Sequence, residues 1–142
     1  MARALFACGA QVTILDYNLA AAQKVVDSFE KKPGTGGALA IHGNVLQAES
    51  VQAAIEQVLK EFGKIDGVIN AAGGNRPEAT TSAEKSFFDL PAEALRWVFD
   101  LNFVGSLLPS QVFAKPMAEK GQGVIINISS MAADRPLTRV VA

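Results

Sequence analysis

The middle of the chain contains the run Gly67-Val68-Ile69-Asn70-Ala71-Ala72-Gly73-Gly74. Its first half is apolar and bounded by glycine, which is typical of a short buried strand. Its second half consists of small residues that lead into a loop, and such residues let the backbone approach a flat ligand closely. A plain glycine turn explains the same residues, so this run alone predicts the strand and leaves the role of the turn open.

The segments on both sides of this run alternate between strand and helix patterns. Apolar strands are predicted at residues 12–15, 38–41, 67–69 and 124–128. Helices are predicted at residues 2–8, 18–32 and 48–62, and one long helix is predicted from Pro91 to just before Gly121. This alternation predicts βαβ units, and therefore an α/β fold with a Rossmann-like, doubly wound parallel sheet. We expect a single domain over residues 1–142.

The composition excludes several classes of protein. The chain has 142 residues, is 49% hydrophobic and 19% charged, and carries a net charge of −1, which favours a globular core over disorder. No basic patch is present, so nucleic acid and anionic membranes are not expected as partners. Cys8 and His42 are the only cysteine and histidine, which leaves no His/Cys metal cage and no internal disulfide. A reducing cytoplasm fits this cysteine content.

Two polar residues stand where predicted strands end, and ligands of open α/β sheets bind outside the carboxyl ends of strands. Asp16 can accept hydrogen bonds from both hydroxyls of an adenine ribose, and it would repel the 2′-phosphate of NADP, which favours NAD. Ser130 follows the last strand. A solvated strand-end aspartate and a turn serine are the alternatives, and both stay open here.

Asn102 lies on an apolar helix stripe, four residues after Val98 and seven after Leu95. An amide in that position needs hydrogen-bond partners, because leaving it unpaired costs about 1–3 kcal/mol. The spacing favours a structural amide that bridges backbone groups, and a water-holding amide in a site is the alternative.

Taken together, these residues resemble the short-chain dehydrogenase/reductase family. Five motifs carry the resemblance in the family's order and spacing, from end to end of the chain: Gly9-Ala10-Gln11-Val12 with Ile14-Leu15-Asp16, Gly43-Asn44-Val45, Ile65-Asp66-Gly67-Val68-Ile69-Asn70-Ala71-Ala72-Gly73, Phe99-Asp100-Leu101-Asn102-Phe103-Val104-Gly105, and Gly123-Val124-Ile125-Ile126-Asn127-Ile128-Ser129-Ser130.

The resemblance implies a nicotinamide cofactor, NAD in preference to NADP. Asp16 would bind the adenosine ribose, and Asn44 and Val45 would line the adenine pocket, where the family usually has Asp in place of Asn44. The strand end would border the nicotinamide ribose and support the central strand, through Asn70, Ala72 and Gly73. The resemblance also implies catalytic roles: Asn102 would hold a water in a proton relay, and Ser130 would hydrogen-bond the substrate oxygen. No metal is implied.

Within the family, the chain is most similar to the D-mannonate oxidoreductase branch. The matching runs are residues 72–81, 87–90, 107–113 and 129–131, followed by Pro136-Leu137-Thr138. This implies interconversion of an alcohol and a ketone on a small molecule, a sugar acid of the D-mannonate/D-fructuronate kind or a polyol. Arg76 is a candidate to pair with a substrate carboxylate. A homo-dimer or homo-tetramer is implied, with the helix after Pro91 in the interface.

The resemblance also implies that the sheet is incomplete. The family's first strand and glycine-rich turn would precede Met1, its catalytic Tyr would directly follow Ala142, and its C-terminal strands would come later still. We therefore expect a fragment of an NAD-dependent oxidoreductase that is inactive by itself. A non-catalytic nucleotide-binding relic, and an unrelated Rossmann-like domain such as a methyltransferase, are the alternatives.

Overall fold

The computed structural model describes residues 1–135 and 139–140. The run Pro136-Leu137-Thr138, which contributes to the resemblance above, lies outside the described residues. The chain divides into two compact units, Met1–Ile65 and Asp66–Ala142, called here the first and second units.

The first unit contains three helices and two strands. In chain order they are α1 (Ala2–Ala7), β1 (Val12–Asp16), α2 (Leu19–Asp27), β2 (Ala38–His42) and α3 (Ala48–Phe62). β1 and β2 pair in parallel, with Asp16 opposite His42, so both carboxyl ends lie at one edge. The parallel pairing confirms the α/β prediction for this unit.

An aromatic pair lies in a buried cluster of the first unit. The rings of Phe6 and Phe29 are 4.9 Å apart between centroids, and both side chains are buried with Val12. Burying an aromatic or aliphatic side chain of this size stabilises a fold by about 1.5–3 kcal/mol. This cluster therefore joins α1, β1 and the chain after α2 into one body.

The ends of the helices agree with the sequence prediction at α3 and differ at α2. α3 has the predicted bounds, and Gly63 closes it in the left-handed conformation with φ of 73°. Asn18 caps α2 as predicted, since its side chain accepts from the backbone N–H of Ala21. However, α2 ends at Asp27, because the Ser28 hydroxyl donates to the Val25 carbonyl at 2.6 Å and helps end the helix.

The second unit contains the elements β3 (Gly67–Asn70), α4 (Ala92–Phe99), α5 (Gly105–Glu119) and β4 (Val124–Asn127). β3 and β4 are parallel, with Asn70 opposite Asn127, and α5 packs against both strands. The long loop between β3 and α4 contains two 3₁₀ turns, Pro77–Ala79 and Phe87–Asp89. A third such turn, Met131–Ala133, follows β4.

The predicted single helix after Pro91 is interrupted. A π-helical segment, Asp100–Val104, separates α4 from α5. Apolar spacing does not distinguish this wider turn from an α-helical one, and π segments occur frequently at functional sites. Asn102, the amide singled out in the sequence, lies in the middle of it. No helix in residues 1–135 and 139–140 is long and apolar enough to cross a membrane.

Candidate functional site

Asp16 is exposed at the carboxyl edge of the β1–β2 pair. Its Oδ1 accepts the backbone N–H of Asn18 at 2.8 Å, which fixes the direction of the carboxylate. The carboxylate can still accept further hydrogen bonds, because an ionised carboxylate has about four lone-pair sites. The geometry therefore suits the role that the sequence predicts for Asp16.

Asn44 and Val45 follow β2 at the same edge, and both are half-buried. The Asn44 side chain accepts the backbone N–H of Leu46 at 3.0 Å, and its own backbone N–H donates to the Ser50 hydroxyl at 2.9 Å. Gly43 brings this turn close to β1, since an added Cβ would meet the Leu15 side chain at 2.8 Å. The local structure orders Asn44, for which the resemblance implies a place in the adenine pocket.

The sequence prediction missed an aromatic pair beside Asp16. The rings of Tyr17 and His42 lie 5.8 Å apart between centroids at the ends of β1 and β2, and Tyr17 is 72% exposed. Exposed flat rings offer a surface on which a planar group can stack. The sequence could have predicted this pair, because both residues stand at the ends of predicted neighbouring strands.

Asn70 is a buried polar residue of the second unit, with 7% of its surface exposed. Its Nδ2 donates to the Ser110 hydroxyl at 2.7 Å and to Asn127 Oδ1 at 2.8 Å. These bonds tie β3 to α5 and to β4. These hydrogen bonds fit the strand-supporting role that the resemblance implies for Asn70, and that role stays a prediction.

The Asn102 side chain holds the loop after β3. Its Nδ2 donates to the carbonyls of Gly74 and Val98 at 2.8 and 2.7 Å, and its Oδ1 accepts the Gly74 N–H at 3.1 Å. Gly73 lies so near that an added Cβ would meet Oδ1 at 2.7 Å. The side chain thus has the backbone-bridging role that its spacing favours, and a role in a proton relay stays a prediction.

Replacing Asn102 with alanine should loosen the loop at Gly74. The change removes these hydrogen bonds, and we expect the free energy of unfolding to fall by about 1–2 kcal/mol. Asn102→Asp should cost at least as much, because a carboxylate would face the carbonyl oxygens of Gly74 and Val98. Thermal unfolding and hydrogen exchange of the Gly74 amide measure both effects. If the hydrogen-exchange rate of the Gly74 amide is unchanged in both variants, the Asn102 side chain does not hold the loop at Gly74.

Ser130 and Ala72 are exposed in the second unit. The Ser130 hydroxyl oxygen accepts the backbone N–H of Ala132 at 3.2 Å, which starts the 3₁₀ turn. This bond uses the oxygen and leaves the hydroxyl hydrogen to donate to a ligand oxygen. No hydrogen bond joins Ser130 to Asn102 in the part of the chain that the structure describes.

A serine face on the interrupted helix extends the polar network. The Ser106 hydroxyl donates to the Asn102 carbonyl at 3.2 Å, and the Ser110 hydroxyl donates to the Ser106 carbonyl at 2.7 Å. Ser110 also accepts from Asn70, so hydrogen bonds run from Asn127 to Asn102. The sequence carried a signal for this network, because polar side chains recur at every fourth position, at Asn102, Ser106 and Ser110.

Two carboxyl groups of the long loop titrate below their usual range. The pKa of Glu78 is lowered by its own backbone N–H and also by the nearby charges of Arg76 and Lys85. The pKa of Asp89 is lowered by the Ser86 hydroxyl and backbone N–H. Both carboxylates are exposed and ionised at neutral pH. Among the described residues, no group of three His, Cys, Asp or Glu side chains could hold a metal ion.

The profile of the short chain dehydrogenase family matches residues 1–142, which is the whole chain. The chain belongs to the short chain dehydrogenase family. An uncharacterized oxidoreductase of Haemophilus influenzae is 42% identical, and the match covers 100% of this chain and 53% of the relative. The uncharacterized oxidoreductase UxuB of Bacillus subtilis is 40% identical over the same shares, 100% and 53%. The family resemblance in the sequence is thereby confirmed.

Solved structures show the same fold. A proposed D-mannonate oxidoreductase from Haemophilus influenzae, with NAD bound, matches with a TM-score of 0.89 and 42% identity, over 98% of this chain and 52% of that one. NAD⁺-bound xylitol dehydrogenase matches with a TM-score of 0.78 and 25% identity, over 92% and 47%. The Rossmann-like prediction is confirmed, and the chain spans about half the length of these relatives. Family membership also removes the methyltransferase alternative.

Proposed function

We propose that this chain is the cofactor-binding part, residues 1–142, of an NAD-dependent oxidoreductase that interconverts an alcohol and a ketone on a sugar acid or polyol. The observation that carries the proposal is the likeness to the NAD-bound Haemophilus influenzae protein, at 42% identity over 98% of this chain. A sugar acid of the D-mannonate type is the favoured substrate, because that relative bears the corresponding name.

Residues of each unit would hold the cofactor. In the first unit, Asp16 would accept hydrogen bonds from the adenosine ribose, and Asn44 with Val45 would border the adenine. In the second unit, Asn70, Ala72 and Gly73 would border the nicotinamide end. The exposed and oriented Asp16 carboxylate supports this assignment. The negative charge of Asp16 would repel the 2′-phosphate of NADP, which favours NAD over NADP.

The residues of this chain would position and polarise the substrate. NAD, when bound, exchanges a hydride with the carbinol carbon. The Ser130 hydroxyl would donate a hydrogen bond to the substrate oxygen, since its own oxygen is already held by Ala132. Every donor of the Asn102 side chain is in use, so a relay water would be held by the Asn102 backbone carbonyl, which accepts from Ser106.

The family resemblance assigns the general acid and base to Tyr and Lys residues beyond Ala142. We therefore propose that this chain by itself is inactive. The single cysteine supports a reducing cytoplasmic setting, and the resemblance supports a homo-dimer or homo-tetramer for the whole enzyme. A small molecule is the proposed partner, and nucleic acid and membrane are not.

A chimera tests the function directly. In it, this chain replaces the matching half of the Haemophilus influenzae relative, and it should bind NAD and oxidise D-mannonate. Asp16→Ala should weaken NAD binding by about 10- to 100-fold, because the ribose hydroxyls lose a charged acceptor. NADP binding should change less. Isothermal titration of both cofactors measures the difference.

Asp27→Ala is the matched control for charge. Asp27 is exposed at the end of α2, and its Oδ1 accepts from Gln23 on the same helix. This variant should bind NAD like the parent chimera. Tight binding of NAD by the unextended chain would instead favour the non-catalytic nucleotide-binding relic. An active chimera with no effect of Asp16→Ala would remove Asp16 from the cofactor site.

A further inference from the structure

Arg76, on the loop that follows β3, lies over an aromatic ring of α4. Its guanidinium carbon lies 4.5 Å from the centroid of the Trp97 ring, on α4. Its Nε lies 3.2 Å from Oε2 of Glu78. The contact with the ring and the pairing of Nε both restrict the guanidinium, so the side chain is already ordered before any ligand arrives.

The backbone around Arg76 is also anchored. The Thr80 hydroxyl donates to the Arg76 carbonyl at 3.1 Å and accepts from Asn75 Nδ2 at 2.9 Å. Ala79 is 0% exposed and packs with Ala94 and Val98 of α4. Two residues before Arg76, the Asn102 side chain holds both backbone groups of Gly74. Arg76 therefore projects from an ordered segment of the candidate site's own loop.

The terminal nitrogens of Arg76 are the donors that this arrangement leaves for a ligand. Neither has a hydrogen-bond partner among the residues that the structure describes, and the side chain is 38% exposed. Trp97 covers one face and Glu78 occupies the Nε edge. The outer edge of the guanidinium matches the two oxygens of a carboxylate, which it binds through parallel hydrogen bonds.

A second cation, Lys85, lies near Glu78. Lys85 is close enough to help lower the pKa of Glu78, together with the charge of Arg76. Arg76, Glu78 and Lys85 together carry a net charge of +1, from two cations and one anion. Glu78 thus orients the guanidinium, and Lys85 offsets the negative charge that Glu78 brings.

An alternative explanation is a surface ion pair that only shapes the loop. Exposed pairs of this kind contribute about 0–1 kcal/mol, and the pairing of Arg76 with Glu78 requires neither Trp97 nor Lys85. The stacking, the anchored backbone and the compensating lysine together describe a pre-organised anion-binding side chain. We propose that Arg76 binds the carboxylate of the substrate and selects sugar acids over uncharged polyols, an inference that rests on the proposed oxidoreductase function.

The experiment compares charged and neutral substrates in the chimera. Arg76→Gln should lower kcat/KM for D-mannonate by about 30-fold, through KM, and change kcat little. The neutral amide of the same acid should be affected by less than about threefold, since it lacks the charge. The kcat/KM of Arg76→Lys for D-mannonate should lie between those of the parent chimera and Arg76→Gln. Lysine keeps the positive charge but loses the two parallel hydrogen bonds and the contact with the Trp97 ring.

Arg96→Gln is the control for a lost positive charge next to Trp97, since Arg96 is exposed on α4. It should leave the preference for the acid over the amide unchanged. If Arg76→Gln affects the acid and the amide equally, Arg76 only shapes the loop and the proposal is overturned. If the unmodified chimera oxidises no sugar acid, the proposed function fails first. The two failures are therefore distinguishable.

Discussion

Adding one methyl group at Gly36 (Gly36→Ala) should destabilise the first unit by about 3 kcal/mol or more. A Cβ at this position would overlap the carbonyl group of Ala10 and would lie 3.0 Å from the carbonyl carbon of Gly9. Both neighbours are backbone atoms, so no side chain can move aside to make room. The N–H of Gly36 also donates to the Phe6 carbonyl at 3.0 Å, which holds the turn against the end of α1.

Gly34→Ala separates this overlap from the ordinary effect of replacing a turn glycine. An added Cβ at Gly34 meets no atom within 4 Å, but its φ of 88° is left-handed. The strain costs about 1–2 kcal/mol, so Gly34→Ala should be clearly less harmful than Gly36→Ala. Thermal unfolding of the chimera measures both changes. The melting temperature of the Gly36→Ala variant should be at least about 6 °C below that of the parent chimera. Equal effects of the two variants would contradict the close approach at Ala10.

Replacing Asn70 with alanine should destabilise the second unit by about 2–3 kcal/mol. The Asn70 amide is buried and donates to Ser110 and Asn127, and without it the Asn127 Oδ1 loses its donor between the two strands. The removed volume adds a cavity term to this cost. We expect β3 and β4 to lose protection from hydrogen exchange together, because Asn70 joins them.

Asn75→Ala is the matched control for a lost amide. Asn75 is exposed, and its amide donates to the Thr80 hydroxyl at 2.9 Å on the surface of the loop. Its replacement should cost less than about 1 kcal/mol. Urea unfolding of the chimera ranks the two variants. An Asn70 variant as stable as the Asn75 variant would show that the buried network adds little to the fold.

Local signals in the sequence explain which elements were predicted correctly. α3 was predicted with both of its bounds, because its apolar stripe and Gly63 agree on where the helix lies. The parallel strands followed from the alternation of strand and helix patterns. Asp16 and Ser130 were found because they stand near the ends of predicted strands. In the structure Asp16 ends β1, and Ser130 lies three residues after β4. Their binding and catalytic roles stay predictions.

The features that the sequence did not predict depend on contacts between distant residues. Asn70 and its partners Ser110 and Asn127 are 40 and 57 positions apart, so no local pattern reveals their hydrogen bonds. The stacking of Arg76 on Trp97 likewise joins a loop to a helix. The π-helical segment was missed because apolar residues recur at α-helical spacing on both sides of it.

The wide turn at Asp100–Val104 also has a mechanical consequence. An α-helix is the more favourable local geometry for a run of this kind, so something outside the helix must keep the extra residue in place. The Asn102 amide is anchored on Gly74, which lies 28 positions earlier in the chain. Deleting one residue from the segment would therefore release the loop after β3 as well as shorten the helix. The loop and the helix are therefore mechanically coupled, and a change in the conformation of one should alter the other.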